Sequence, residues 1–290
     1  MGYYTNAVAD LDAFRSAIID ACVAEGWTLS GAILSKAGMF LTLQVVSGQL
    51  KLRGGTGAAA GALTDPSTEV TIAAGGGGSS IVPLTFPATY HLFVFDQEVY
   101  CVLNYSVNRY QWCAWGKSTV GGLVSSGMWL GATWGGVASG SGFSIGLNTN
   151  STANPSGALM WAAHPNNTTR TSLIAAGLDG KTWFTDDWLG GTYVANEILA
   201  TQPNSFNSES VLVPIRAYAP RPSLKWSLVT DLVYARYLRI DNYEPGQLIE
   251  LGTDRWMVFP WHQKNPAARN GGGAINHTGT FGWAIRYEGP

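Results

Sequence analysis

The sequence predicts a mainly β protein with an α+β N-terminal part. Three observations support this fold class: one stretch with helical spacing near the N-terminus, many segments rich in Val, Tyr, Phe, Trp and Leu, and short joins that demand antiparallel pairing. We expect a small helix and β-hairpin unit at 1–53, a Gly-rich loop or linker at 54–80, and a larger antiparallel β domain with long Gly/Asn-rich loops at 81–290.

The N-terminal unit is expected to begin with an amphipathic helix. Apolar residues recur there at spacings of three and four: Ala7, Leu11, Phe14, Ile18 and Cys22. This spacing places one apolar stripe on the side of a helix that faces a core. Thr5 or Asn6 is suited to cap the start of the helix, and Gly26 is suited to a left-handed stop at its end.

A β-hairpin is predicted after the helix. Met39–Val46 and Gln49–Arg53 alternate apolar and polar residues, with Ser47-Gly48 between them. Alternation on both sides of a two-residue turn is typical of a hairpin. Gly54–Ser80 then has few aromatic residues and contains four consecutive glycines. It is interpreted either as a loop that reaches a neighbouring subunit or as a plain inter-domain linker.

The strongest β pattern lies in the segment from Tyr90 to Lys117. Three strands are predicted there by their aromatic and β-branched content, joined by Asp96-Gln97-Glu98 and by a turn near Val107-Asn108. They are Tyr90–Phe95, Val99–Ser106 and Tyr110–Gly116. Because the joins are so short, these strands are expected to form an antiparallel meander.

The rest of the chain is expected to alternate loops and strands. Residues 120–191 are rich in Gly, Ser and Asn, which favours short strands and long loops. Leu228–Leu238 is also compatible with a helix. Further strands are predicted at Val211–Tyr218, Leu224–Thr230, Tyr237–Ile240, Gln247–Leu251, Arg255–Phe259 and Phe281–Tyr287.

The composition is unusually poor in charge. The 290 residues include 19 acidic and 17 basic residues, which is 12% of the chain, with 36 Gly and 12 Trp. Soluble domains typically carry about a quarter charged residues. Either an unusually large core hides the apolar surplus, or other chains cover much of the surface. Interface centres are depleted in charge and enriched in Trp, Tyr and Arg, so we interpret the chain as an assembly subunit.

Several partners and compartments are disfavoured by the sequence. The net charge of −2 lacks the basic footprint of a nucleic-acid-binding protein. No apolar run approaches the roughly 20 residues of a membrane span, and Met1–Asn6 does not resemble a secretory signal. The three cysteines, Cys22, Cys101 and Cys113, are too few for a disulfide framework and fit synthesis in a reducing host cytoplasm. Cys101 and Cys113 are expected on adjacent strands, as buried thiols or as a bridge.

No catalytic, cofactor-binding or metal-binding residue is predicted, and the chain is not expected to be an enzyme. Gly116-Lys117-Ser118 ends like a phosphate-binding loop, but Gln111 stands where that loop requires Gly. Four histidines, which lack a second ligand at a metal-binding spacing, are scattered along the chain: His91, His164, His262 and His277.

One segment favours a different class of function. Asp186 and Asp187 stand between aromatic residues in Trp183–Trp188, as carboxylates do in clefts that bind or cleave sugars. Cleavage would need a second carboxylate, for which Glu244, Glu250 and Asp254 are candidates. A turn in which Asp caps backbone amides explains the same segment without any ligand.

Parts of the chain resemble structural proteins of tailed-bacteriophage virions. The resemblance is carried by Tyr90–Phe95, Val99–Val102, Gln111–Ser118, Arg255–Trp261, Lys264-Asn265 and Asn276–Tyr287. It implies a virion location in the tail or baseplate, that of a contractile-tailed phage, and partners among tube, sheath and baseplate proteins as well as copies of the chain itself. It implies no catalytic residue.

The sequence as a whole therefore predicts a non-enzymatic structural subunit of a phage tail end. The alternatives are a carbohydrate-binding or carbohydrate-cleaving β protein that contacts the host surface, and a head decoration protein. Exposed aromatic and arginine side chains are the expected interface anchors. They are Trp129, Trp134, Trp183, Trp188 and Arg269.

Overall fold

The described part of the chain is dominated by antiparallel β-sheets and has one helix, near the N-terminus, which confirms the predicted fold class. The computed structural model describes residues 1–73, 83–121, 127–133, 173–184, 212–221, 223, 225–240, 243–260, 264 and 281–289. The described helix has 14 residues, and in the described part of the chain no helix is long and apolar enough to cross a bilayer.

The elements follow one another along the chain in two groups. The first group is β1 (Gly2–Val8), α1 (Leu11–Ala24), β2 (Thr28–Ser30), β3 (Ile33–Lys36), β4 (Met39–Val46), β5 (Gln49–Gly55), β6 (Gly57–Ala59), β7 (Ala62–Thr64), β8 (Val70–Ala73), β9 (Ala88–Val94), β10 (Glu98–Ser106) and β11 (Arg109–Lys117). The second group is β12 (Met128–Ala132), β13 (Leu173–Ala176), β14 (Trp183–Phe184), β15 (Val213–Arg221), β16 (Lys225–Arg239), β17 (Leu248–Leu251), β18 (Asp254–Pro260) and β19 (Phe281–Arg286).

The described strands form three sheets and a small hairpin. The central sheet has the order β1-β9-β10-β11-β12-β13-β14, the N-terminal sheet the order β2-β3-β4-β5-β8, and the C-terminal sheet the order β15-β16-β19-β18-β17. β6 and β7 pair with each other. The first strand of the chain thus lies in the same sheet as strands more than 80 residues away.

The central sheet is buried on both faces. Along β10, Tyr100 and Val102 enter the core that is shared with the C-terminal sheet. The alternate residues Val99, Cys101 and Leu103 enter the core that is shared with α1 and the N-terminal sheet. A strand with two buried faces is apolar along its whole length. This two-sided core accounts for part of the apolar surplus in the composition.

The N-terminal helix begins later than the sequence predicted. Residues 2–8 are strand β1, and Asp10 caps the helix, its carboxylate accepting a hydrogen bond of 2.7 Å from the Ala13 amide. The proposed caps Thr5 and Asn6 are therefore wrong, because pairing with β9 takes priority over the local helical spacing. The stop at Gly26 is confirmed by a φ of 83° at that residue.

The predicted hairpin and meander are confirmed. β4 and β5 pair from Val46 opposite Gln49 onward, and Ser47 and Gly48 both have positive φ values, of 52° and 72°. Two-residue turns with positive φ match the twist of the strands that they join. β9, β10 and β11 pair as antiparallel neighbours.

Pairing and packing extend across the predicted division at Arg53. β1 pairs with β9 along its whole length, and α1, β4 and β5 share one core with β9 to β12. Residues 57–73 of the predicted linker contain three strands, and β8 extends the N-terminal sheet by pairing with β5. The boundaries 1–53, 54–80 and 81–290 stay a prediction, and residues on both sides of the first boundary bury the same apolar surface.

The C-terminal strands are confirmed as strands, with one change. Leu224–Thr230 and Tyr237–Ile240 were expected as separate strands, but β16 runs without a break over Lys225–Arg239. Leu228–Leu238 is therefore strand and not helix, because it pairs with β15 on one side and β19 on the other.

Candidate functional site

The most unusual polar group in the described structure is the carboxyl of Glu98. Glu98 is the first residue of β10 and its exposed fraction is 0%. Its strand partner is Gly116 of β11. A fully buried carboxyl is rare unless it is paired, so its neighbours decide its role.

A bulge in β16 faces Glu98. In the pairing of β15 with β16, Pro214 lies opposite Arg236 and Arg216 lies opposite Asp231. An advance of two residues along β15 therefore corresponds to five residues along β16. Residues 232–235 of β16 have no pairing partner in β15 and form the bulge. A bulge of this length leaves backbone amides and carbonyls that need other partners.

Glu98 supplies acceptors for the amides of this bulge. Its Oε1 accepts a hydrogen bond of 2.8 Å from the Val233 amide, and its Oε2 accepts one of 2.9 Å from the Tyr234 amide. The Tyr100 hydroxyl also donates to Oε2, at 2.6 Å. Two of these three hydrogen bonds, those from Val233 and Tyr234, thus join the central sheet to the C-terminal sheet, and the third comes from Tyr100 on the same strand as Glu98.

Arg236 supplies donors for the carbonyls of the same bulge. Its Nη1 donates to the carbonyl oxygens of Leu232, Val233 and Ala235, at 2.8–2.9 Å. Its guanidinium also lies 5.1 Å from the centroid of the Trp256 ring, a distance at which a cation is attracted to the ring face. One acidic and one basic side chain therefore satisfy the backbone groups of the bulge.

Aromatic rings enclose the carboxyl. The Tyr100 ring lies 6.1 Å from Trp129 and 5.6 Å from Trp283, and the Phe95 ring stacks on Tyr234 at 3.9 Å with an interplanar angle of 2°. These rings exclude water from the space between the two sheets. The low polarity that results makes the ionised form of the carboxyl unfavourable.

Burial shifts the pKa values of this cluster. Desolvation raises the pKa of Glu98 to about 7, and it outweighs the three donated hydrogen bonds, which act in the opposite direction. Desolvation also raises the pKa of the Tyr100 hydroxyl and lowers the pKa of the Arg236 guanidinium. Both oxygens of Glu98 already contact the protein's own donors, so this arrangement serves to hold two sheets together.

Glu98 was predicted to belong to the join Asp96-Gln97-Glu98 between two strands, and this was wrong by one residue. The polar composition of that triplet is typical of a turn, but β10 begins at Glu98, one residue earlier than predicted. The available signal was an acidic residue directly before a long apolar strand. Its partner amides lie about 135 residues further along the chain, where no local pattern points to them.

The predicted interface anchors do not lie together in the described structure. Trp129 is 0% exposed and belongs to the core between the central and C-terminal sheets. Its prediction as an exposed anchor is therefore wrong, because β12 is covered on both faces. Trp183 is half-buried, and its Nε1 donates to the Asp65 carbonyl at 2.7 Å. Trp134, Trp188 and Arg269 lie outside the described residues.

The predicted carbohydrate site is only partly described. Asp186 and Asp187 lie outside the described residues. Among the candidate second carboxylates, Glu250 is exposed on β17, and Asp254 forms an ion pair of 2.9 Å with Arg286. Glu244 is exposed and lies between β16 and β17.

The other chemical motifs take structural positions. Gly116 and Lys117 lie in strand β11, and the Lys117 ammonium donates to the Ala37 carbonyl at 2.9 Å. Cys101 and Cys113 are directly opposite each other on adjacent strands, as predicted, and are buried free thiols. Desolvation lowers the pKa of His91 to about 4. Among the described residues, no group of three or more His, Cys, Asp or Glu side chains could hold a metal ion.

A shallow groove lies on the outer face of the N-terminal sheet. It has a volume of about 310 Å³ and lies between this face and the β6–β7 hairpin. Its charged side chains contact the protein itself: Lys51 forms an ion pair of 2.8 Å with Glu69, and the Arg53 Nε donates to the Ser67 carbonyl at 2.6 Å. These groups stabilise the attachment of residues 67–69 to β5.

Comparisons of the sequence were made with protein-family models and with curated proteins. No protein-family model matches the chain, and no curated protein matches it.

Proposed function

We propose that the chain is a non-enzymatic structural subunit of a bacteriophage tail end or baseplate. In this proposal the chain lies in the virion and contacts copies of itself and tube, sheath or other baseplate proteins. The resemblance of its meander and C-terminal segments to virion structural proteins supports this proposal, and so does the scarcity of charge over the whole chain.

The observation that carries the proposal is an apolar sheet edge. β17 is the last described strand of the C-terminal sheet and pairs there with β18. Leu248 and Leu251 stand at its two ends and are 38% and 42% exposed. Monomeric proteins usually protect such edges by keeping the strand short or with charges, proline or bulges; β17 is short, with four residues, and carries one charged residue, Glu250.

The structural support for the assembly proposal comes from the exposed leucines at the sheet edges and not from the tryptophans. Composition suggested that tryptophans cover subunit contacts, but many described tryptophans are core residues. Those with buried side chains are Trp27, Trp112, Trp115, Trp129, Trp256 and Trp283. A second sheet edge, β2 in the N-terminal sheet, also exposes a leucine, Leu29. Edges of this kind accept a strand from another chain through backbone hydrogen bonds.

We expect the double variant Leu248→Lys, Leu251→Lys to weaken self-association. Charge and bulk at an edge oppose strand pairing between copies. The measurement is the solution molar mass over a range of concentrations. The wild type should exceed the chain mass of 30.9 kDa at concentrations where the double variant does not.

The matched control is Val107→Lys. Val107 is 86% exposed at the turn between β10 and β11 and is not part of β17, so a lysine there adds surface charge without changing the β17 strand. It should associate like the wild type. A wild-type chain that remains monomeric and binds no tail protein would contradict the proposal.

A further inference from the structure

We propose that the Glu98 carboxyl is a proton-operated clasp, whose charge state sets how firmly the β16 bulge at residues 232–235 is held against the central sheet. The proposal concerns the joint between the two sheets and is independent of the phage assignment. Three features support it: the hydrogen bonds of Glu98 across the joint, the charged groups around its carboxyl, and the hydrogen bonds that the carboxyl can form in each protonation state.

The clasp adds polar contacts to a joint that is otherwise largely apolar among the described residues. Besides Glu98, the described side-chain links there include the bond from the Thr119 hydroxyl to Asp231, at 2.9 Å, and the weak contact of the Tyr3 hydroxyl with the Met257 sulfur, at 3.9 Å. Glu98 is the link that reaches backbone amides of the bulge. Loosening it therefore removes the hydrogen-bond acceptors of the Val233 and Tyr234 amides, while Ala235 stays paired with β19.

The charged and titratable groups around the carboxyl belong to both sheets. Tyr100 lies on β10 beside it, and Asp231, Tyr234 and Arg236 face it from β16. Asp231 disfavours a charge on Glu98, while Arg236 favours it. More distant groups that act on these residues are Asp96, Arg216, Arg286 and Glu288.

Both protonation states fit the closed joint. When Glu98 is ionised, the Tyr100 hydroxyl donates to Oε2 over 2.6 Å. When Glu98 is protonated, its O–H can donate to the same hydroxyl oxygen, because a tyrosine hydroxyl both donates and accepts. The Val233 amide can still donate to Oε1, and the Tyr234 amide can donate more weakly to the protonated Oε2. The proton therefore changes the energy of the joint without changing which groups meet.

The coupling between proton binding at Glu98 and opening of the joint sets the direction of the pH dependence. In the closed joint the pKa of Glu98 is raised to about 7, and in an opened, hydrated joint it returns to its ordinary value of 4.5. The closed joint is therefore most favoured below pH 4.5, where Glu98 is protonated in both forms. This advantage is lost as the pH rises through about 7. The opening equilibrium should increase on the order of 100-fold over this range.

Hydrogen exchange at the amides of Val233 and Tyr234 tests the clasp. After correction for the intrinsic exchange rate, their protection should fall on the order of 100-fold between pH 4.5 and pH 8. Amides of the β4–β5 hairpin, away from the joint, provide the internal reference and should change far less. Protection that stays constant over this range in the wild-type chain would overturn the proposal.

Two variants assign the effect to Glu98. Glu98→Gln should lower protection at all pH values, because its amide nitrogen cannot accept from the Tyr234 amide, but it should abolish the pH dependence. Asp231→Asn removes an acidic group that raises the pKa of Glu98 and also weakens the Thr119 link, so it should lower overall protection but keep a pH dependence in the same direction. The same pH dependence in Glu98→Gln, or its loss in Asp231→Asn, would assign the effect to another group and contradict the clasp.

Discussion

Replacement of Trp129 by alanine is expected to lower the free energy of unfolding by about 3–5 kcal/mol. The Trp129 side chain is fully buried between the central and C-terminal sheets and lies 6.1 Å from the Tyr100 ring. A Cβ on Gly116 would come within 2.7 Å of the indole, so the ring packs directly on the β11 backbone. Denaturant unfolding of the wild type and the variant measures the difference.

The matched control is Trp183→Ala. Trp183 lies on the edge strand β14 and is half-buried, so its removal should cost less than half as much. The comparison separates a core role from an interface role, since sequence analysis assigned both residues to interfaces. Equal, small losses for the two variants, combined with weaker self-association of Trp129→Ala, would contradict the core position of Trp129.

Replacement of Phe14 by alanine is expected to destabilise the protein as a whole, again by about 3–5 kcal/mol. Phe14 is fully buried on α1 and its ring lies 6.0 Å from that of Tyr90 on β9. The helix, the N-terminal sheet and the central sheet share this core. Loss of the ring should therefore shift one cooperative unfolding transition, followed by circular dichroism and by tryptophan fluorescence.

Phe40→Ala is the control for this substitution. Phe40 alternates with the buried residues Met39 and Leu41 on β4 and is only half-buried, so its loss should be clearly smaller. If Phe14→Ala instead split unfolding into two transitions, with the later strands unaffected, then residues 1–53 would be an independent unit and the shared core would be wrong.

Local features of the fold were predictable from the sequence. The β4–β5 hairpin follows from alternation on both sides of Ser47-Gly48, and its turn needs little more than residues that accept positive φ. The meander β9 to β11 follows in the same way from its apolar strands and short joins. In both cases the partners lie close together in sequence, so the pattern contains all the information that pairing requires.

Long-range pairing was not predictable. Ala7 fits the helical spacing of the residues that follow it. Residues 2–8 nevertheless form strand β1, because β9 offers a complete set of backbone partners. The same pairing joins residues on the two sides of the predicted division at Arg53. In the candidate site, Glu98 meets the amides of Val233 and Tyr234 only because a bulge in β16 turns them toward it. A bulge created by pairing with β15 leaves no periodic signal in the sequence.

The direct test of the assembly proposal is to locate the chain in intact phage particles with a specific label under the electron microscope. The proposal predicts label at the tail end, in several copies arranged around the tail axis. Label on the head would support the decoration alternative, and particles without the chain would contradict a structural role in the virion.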